Sequence, residues 1–282
     1  MAWAEPLTVA DDFSPAVEIV VKQTALRALI VAAFAYLAVP ATVYAQTDEI
    51  QVYDGGLAAP GTFNLTLHMN DVERGIATPA FPGAVVANRS FNTVPEWAIG
   101  VTNWFEAGAY LPVLSRDHFA GWGVDGVKLR TLFAVPNADS RRFFYGANFE
   151  FSINARRWDA KRISSEVRPI VGWHLNGYDI VVNPILDTEY DGFKNLDFAP
   201  SIRFAHALSN ALTVAVEEYA DYGPLHQFLA KSEQSHQVYG VVDYNVRGTD
   251  VEFGFGKGLT SASDSTTFKV ILSRDLRSFA KH

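Results

Sequence analysis

No cysteine occurs in the 282 residues, which excludes disulfides, thiolate metal sites, c-type haem attachment and a lipid-modified amino-terminal cysteine. Charge is scarce as well: Asp, Glu, Lys and Arg make up 19% of the chain, against about a quarter in an ordinary globular protein. A basic excess is missing, since the net charge is −8 and the pI about 5.3. Nucleic-acid-binding surfaces are usually basic, so no nucleic-acid partner is expected. After residue 45 no segment holds the run of about 18 apolar residues that a transmembrane helix needs. Helical periodicity of any length is hard to find after residue 60. A Gly-rich phosphate loop, paired metal-ligand histidines on a helix and a Gly-x-Ser-x-Gly elbow are all absent.

What is present begins at residue 22. Lys22 and Arg27 supply a positive start, an apolar run covers 28–39, Pro40 breaks it, and Val43 and Ala45 offer the small residues a signal peptidase reads. This is the secretory pattern, and the apolar run is too short to span a bilayer. Residues 22–45 are therefore expected to be a cleaved signal peptide of an exported, Gram-negative protein. Residues 1–21, with Asp11, Asp12 and Glu18, do not fit a signal and read as an upstream extension, with translation expected to start near Val20 or Val21. Residues 46–60 are expected to form a periplasmic amino-terminal segment, and 61–282 the folded body.

Aromatics are abundant at 13%, and they fall at alternate positions. In 143–154, Phe143, Tyr145, Ala147, Phe149, Phe151 and Ile153 form one set and Gly146, Asn148, Glu150, Ser152 and Asn154 the other. A period of two is a strand with differently surrounded faces, and this one has the length of a tilted bilayer-crossing strand. Similar runs occur at 61–70, 97–102, 105–111, 127–135, 163–173, 178–186, 198–204, 212–218, 236–246, 251–256 and 268–273. Longer polar loops and short turns separate them alternately; Asn176-Gly177 and Arg247-Gly248 are among the turns. The stretches 71–93 and 115–126 read as longer loops. Trp104 and Trp173 fall near short turns, and Trp97, Trp122 and Trp158 near or in longer loops, as two aromatic belts would require.

The fold class expected is therefore all-β: a twelve-stranded antiparallel transmembrane barrel in the outer membrane, with both ends on the periplasmic side. The alternative is a secreted soluble β-protein. Against it, outward faces stay apolar on nearly every strand. The opposite faces collect Glu106, Lys128, Arg130, Glu150, Glu166, Arg168, Asp179, Arg203, Glu217, Glu252 and Lys269. A dry core would not accept so many charges, whereas a wet or mutually paired lumen does. Those eleven residues are the candidates for a solute pathway, with Glu150 expected beside Glu166 or Arg168 and beside Arg130 or Lys128. Outer-membrane lipid, a small-molecule solute, periplasmic chaperones and the barrel-assembly machinery are the partners expected.

The stretches Asp48-Glu49-Ile50-Gln51-Val52-Tyr53, Pro60-Gly61-Thr62-Phe63-Asn64-Leu65 and Asn183-Pro184-Ile185-Leu186 resemble the bacterial outer-membrane transporter family named for the MetA pathway of phenol degradation. The resemblance covers about residues 46–282. It implies a β-barrel and uptake of hydrophobic or aromatic compounds, and carries no catalytic signature. Two other readings stand beside passive passage. One is a structural or adhesive barrel with a plugged lumen that binds a partner through its outer loops. The other is an outer-membrane lipid hydrolase, but the His-x-Ser pair that the outer-membrane phospholipases share does not occur. No enzyme activity, cofactor or metal is expected. His226 and His236 share a loop with Asp221 and Glu233, and ordinary loop polarity is the plainer account of them.

Overall fold

The structure is a computed structural model describing residues 49–119 and 121–276. The expected upstream extension and signal peptide lie outside the described residues. The strands run in chain order as β1 (Phe63–Arg74), β2 (Ser90–Gly100), β3 (Phe105–Asp117), β4 (Gly121–Ala134), β5 (Phe143–Asn154), β6 (Ile163–Leu175) and β7 (Tyr178–Asn183). They continue as β8 (Leu186–Thr188), β9 (Asp197–Phe198), β10 (Ser201–Ala207), β11 (Leu212–Asp221), β12 (Ser235–Val246), β13 (Thr249–Gly258) and β14 (Thr266–Leu276). Every named pairing is antiparallel, and β1 pairs β14 from Phe63↔Leu276 to Arg74↔Thr266, which closes the sheet. Among the described residues there is no α-helix.

The wall is a closed barrel of twelve strands, because β7 with β8, and β9 with β10, are each one wall strand interrupted. Pro184 and Pro200 sit at the two breaks. Proline has no N–H to give the ladder, so the pairing Ser201↔Asn183 stops there and resumes at Phe198↔Leu186. At Pro95 the β2–β3 register likewise shifts, between Thr93 and Glu96.

Asn176-Gly177 and Arg247-Gly248 form two-residue turns with positive φ at both positions, which matches the twist of the strands they join. Two loop expectations are corrected. Loop 71–93 is shorter, because β1 runs to Arg74 and β2 starts at Ser90. The stretch 115–126 is mostly strand, paired from Leu114↔Val124 to Asp117↔Gly121. Its Gly, Asp and His residues imitate a loop. Gly123 is in fact a strand position whose missing side chain leaves room for the Arg157 guanidinium.

Side chains alternate around the wall as the pleat requires. Leu129 is 61% exposed and Phe149 43%, with Phe151, Phe204, Val216, Phe253 and Phe255 similarly bare. Water-soluble monomers rarely expose contiguous apolar patches beyond a few hundred Å², whereas a barrel wall in lipid must present one. Rings crowd the short-turn end: Phe105 stacks on Phe133 with centroids 4.8 Å apart, and Phe143 lies 5.6 Å from Trp173. Trp97 also belongs nearer this end, three residues before the end of β2. Trp158 is not a belt residue at all; it is 8% exposed and faces the cavity beneath the long loops.

Candidate functional site

The principal correction concerns the amino-terminal segment. Residues 49–60 do not lie in the periplasm beside the barrel but run inside it. Ile50, Val52 and Tyr53 are buried, and the chain passes from the middle of the lumen to the short-turn end, where Pro60 bridges Gly100. Glycine is needed at position 100, because a Cβ there would strike the Ala58 and Ala59 carbonyls.

The segment is held by main-chain contacts from several walls. Tyr53 N–H donates to Asn183 Oδ1 at 2.7 Å, and Asn183 Nδ2 donates back to the Tyr53 carbonyl at 2.9 Å. Arg168 donates to the Gln51 carbonyl at 3.0 Å, Lys269 Nζ to the Ile50 carbonyl at 3.0 Å, and Ala58 N–H to Glu106 at 2.7 Å. The buried peptide groups thus find the partners they would otherwise have in water. Apolar packing completes the seal. Val52 and Tyr53 join Leu132, Phe144, Ile170 and Val181, and Ile50 joins Ala205, Ala215, Tyr239 and Val241.

Two ion networks flank the segment. On one side, Arg130 bonds Glu106 at 2.6 Å and pairs with Glu96, which His68 Nε2 meets at 3.1 Å. Arg168 grips both oxygens of Glu166, at 2.6 and 3.0 Å, and lies 3.7 Å from Glu49. Its guanidinium also stands over the Tyr53 ring, 4.6 Å from the centroid, a favourable position for a cation. The Tyr110 hydroxyl lies 2.9 Å from Glu49, 3.2 Å from Glu150 and 2.6 Å from the Tyr53 hydroxyl. With one proton to give, Tyr110 serves one carboxylate at a time.

On the other side, Lys269 Nζ lies 2.5 Å from both Glu217 and Glu252, and Arg203 pairs with Glu217, Asp243 and Glu252. Gly254 makes room for this lysine, since a Cβ there would meet Lys269 Cε at 2.7 Å.

All the sequence-chosen residues except Asp179 therefore converge on the lumen. Glu150 stands opposite Arg130 on β4 and Glu166 on β6, and Lys128 Nζ reaches it at 3.7 Å. Asp179 sits apart at the short-turn rim, where it takes a bond of 2.6 Å with His174 Nδ1. The alternation missed Glu96, because the second run was started one residue too late. It missed Asp243 because its run is poorly phased. Glu49 and Tyr53 have no periodic signal to find. His226 contacts the Lys194 carbonyl and His236 contacts Glu218 at 3.2 Å. Among the described residues no group of three or more His, Asp or Glu is placed to hold a metal.

The segment divides the lumen into two cavities. One, of about 310 Å³, lies under the long loops, and the other, of about 510 Å³, lies at the short-turn end. Gln51 is the one residue that lines both. Carboxylates dominate each lining: nine against Lys128 and Arg168 under the loops, and seven against Arg130 and Arg203 at the other end.

Loops fold over the first cavity. Ile76 N–H donates to Asp264 at 2.9 Å, and Val85 N–H to the Arg157 carbonyl at 2.8 Å. Burial pushes the Asp159, Glu189 and Asp264 carboxyls above the usual range. For Asp159 the Lys161 main-chain N–H and side-chain charge, with Lys128, partly offset it, as does the Ile76 N–H for Asp264. For Glu189, the carboxylates of Asp159, Asp191 and Asp197 add to burial and Lys161 opposes them.

No family model matches the chain, and no curated protein matches it. Among solved structures, the COG4313 outer membrane channel from Pseudomonas putida F1 is similar over 81% of this chain and all of that one, with a TM-score of 0.55 at 10% identity. The KdgM porin is similar over 76% of this chain and 99% of its own, with a TM-score of 0.50 at 7% identity. At such identities the likeness is one of fold, and the fold is that of outer-membrane β-barrels.

Proposed function

We propose that the protein is an outer-membrane channel for passive passage of small molecules, with its lumen narrowed by its own amino-terminal segment. The observation that carries this is the pair of cavities, one under each end of the barrel, separated at Gln51 by a segment held through hydrogen bonds rather than by a wall strand. Uptake of hydrophobic or aromatic compounds rests on the family resemblance alone and is part of this proposal. So are export with removal of residues 22–45 and delivery by the chaperone and assembly machinery.

The test is conductance and solute flux of the refolded protein in planar bilayers and liposomes. The intact chain is expected to show small conductance, and a variant lacking residues 49–58 a larger one, since the ladder closing β1 on β14 does not depend on the segment. If neither form conducts or passes any solute, the plugged structural or adhesive reading takes its place. Lipid hydrolysis by the same preparation would revive the enzymatic one.

A further inference from the structure

From the two cavities and their lining we infer that Gln51 is the constriction of the pathway and that the pathway selects cations, so that the solutes taken are small cationic or ammonium-bearing molecules rather than anions. The inference rests on the channel reading and adds to it the sign of the solute's charge, which is independent of whether that solute is also aromatic. Three observations converge on it.

The first is geometric. The two cavities approach each other at Gln51, the one residue common to both linings. The Gln51 carbonyl, not its side chain, is held by Arg168. Substitution of the side chain therefore leaves the anchoring of the segment in place.

The second is electrostatic. The excess of carboxylates has the same sign on both sides of the constriction, as the linings of nine against two and seven against two show. Rings of acidic side chains enclosed by low-dielectric walls concentrate cations and exclude anions. The excess is not a local cluster; it runs from Asp264 and Glu189 at the loops to Asp250 and Asp275 at the opposite end.

The third concerns the cations that could cancel it at the narrow point. Arg168 is already engaged through Nε and Nη2 by Glu166, and Lys269 lies between Glu217 and Glu252. Neither is left to present net positive charge to a solute passing Gln51. The Trp158 ring in the same lining offers an organic cation a further favourable surface.

The experiment is the reversal potential of the refolded full-length protein in planar bilayers under a KCl gradient, with Gln51→Lys and Gln51→Ala alongside. Heat-dependent gel mobility checks that each variant folds. The wild type is expected to reverse on the potassium side. Gln51→Lys is expected to lower the potassium-to-chloride permeability ratio about tenfold, the effect of one charge at close range in a partly shielded site. Gln51→Ala is expected to raise conductance and keep the sign. In liposomes, choline is expected to cross faster than gluconate. Chloride selectivity of the wild type, or a Gln51→Lys variant with unchanged ratio and conductance, overturns the inference while leaving a channel. Silence of every form, including the one lacking residues 49–58, removes the channel reading and this inference with it.

Discussion

A buried charge is tolerable only where its partners are already in place, and Lys269 shows how closely this lumen is balanced. Its ammonium is 0% exposed and lies 2.5 Å from two carboxylates, and it also donates to the Ile50 carbonyl. Removing one partner from such a group leaves the others uncompensated, at a cost of about 3–5 kcal/mol. Lys269→Met is therefore expected to lower the unfolding stability of the refolded barrel in urea by about that much. It should also loosen the amino-terminal segment, read as increased proteolysis near Ile50. A double variant that also carries Glu217→Gln should recover part of the loss, because Arg203 then has one carboxylate fewer to balance alone. Legibility at this scale was uneven. Glu106, Arg130 and Lys269 follow from alternation with apolar neighbours. Glu96 follows only if the second run is carried back one residue, to the position beside Pro95, an unusual residue inside a strand.

Among the elements, the loops covering the long-loop cavity carry the pH response. Burial raises Asp159, Glu189 and Asp264 above the usual carboxylate range. A carboxyl with a raised pKa takes up its proton at higher pH than a free one, so the cavity begins to lose negative charge while exposed carboxylates are still ionised. The potassium-to-chloride permeability ratio is therefore expected to fall as the pH on the long-loop side drops from neutral into the mildly acidic range. Replacing Asp159, Glu189 and Asp264 together by their amides should flatten that dependence; a dependence left unchanged would place the titrating groups elsewhere. The sequence reading of elements was close for β5, found at Phe143–Asn154 as read, and poor between β3 and β4. There Asp117, Gly121, Gly123 and Gly126 have the composition of a loop. For Gly123, only the incoming Arg157 shows why a glycine stands in the strand.

For the molecule as a whole, the outward face and the lumen obey opposite rules of solvation. An arginine placed on the lipid side near mid-height, as in Leu129→Arg or Phe253→Arg, is expected to destabilise the inserted barrel by about 2–4 kcal/mol. Gln51→Lys, inside, should cost much less. Parallel urea titrations in vesicles would measure both, and equal losses would contradict a lipid-facing wall. The same division accounts for the low charge content. About half of the wall positions meet hydrocarbon, so the charges concentrate on the one face that can pair them.

The amino-acid order alone determined the barrel, its twelve wall strands and, for most of them, which side chains face in, because the pleat of a strand is a local, period-two property that neighbouring residues reveal. Only the tertiary structure decided what fills the lumen. Residues 49–60 have no periodicity to declare their place, and the partners that hold them are far along the chain: Asn183 binds Tyr53 across 130 positions and Lys269 binds Ile50 across 219. Closing the wall brings those donors and acceptors to one level, and buried peptide groups must find partners there. That requirement turned an expected periplasmic segment into the partition of the lumen and made Gln51 the residue where its two cavities meet.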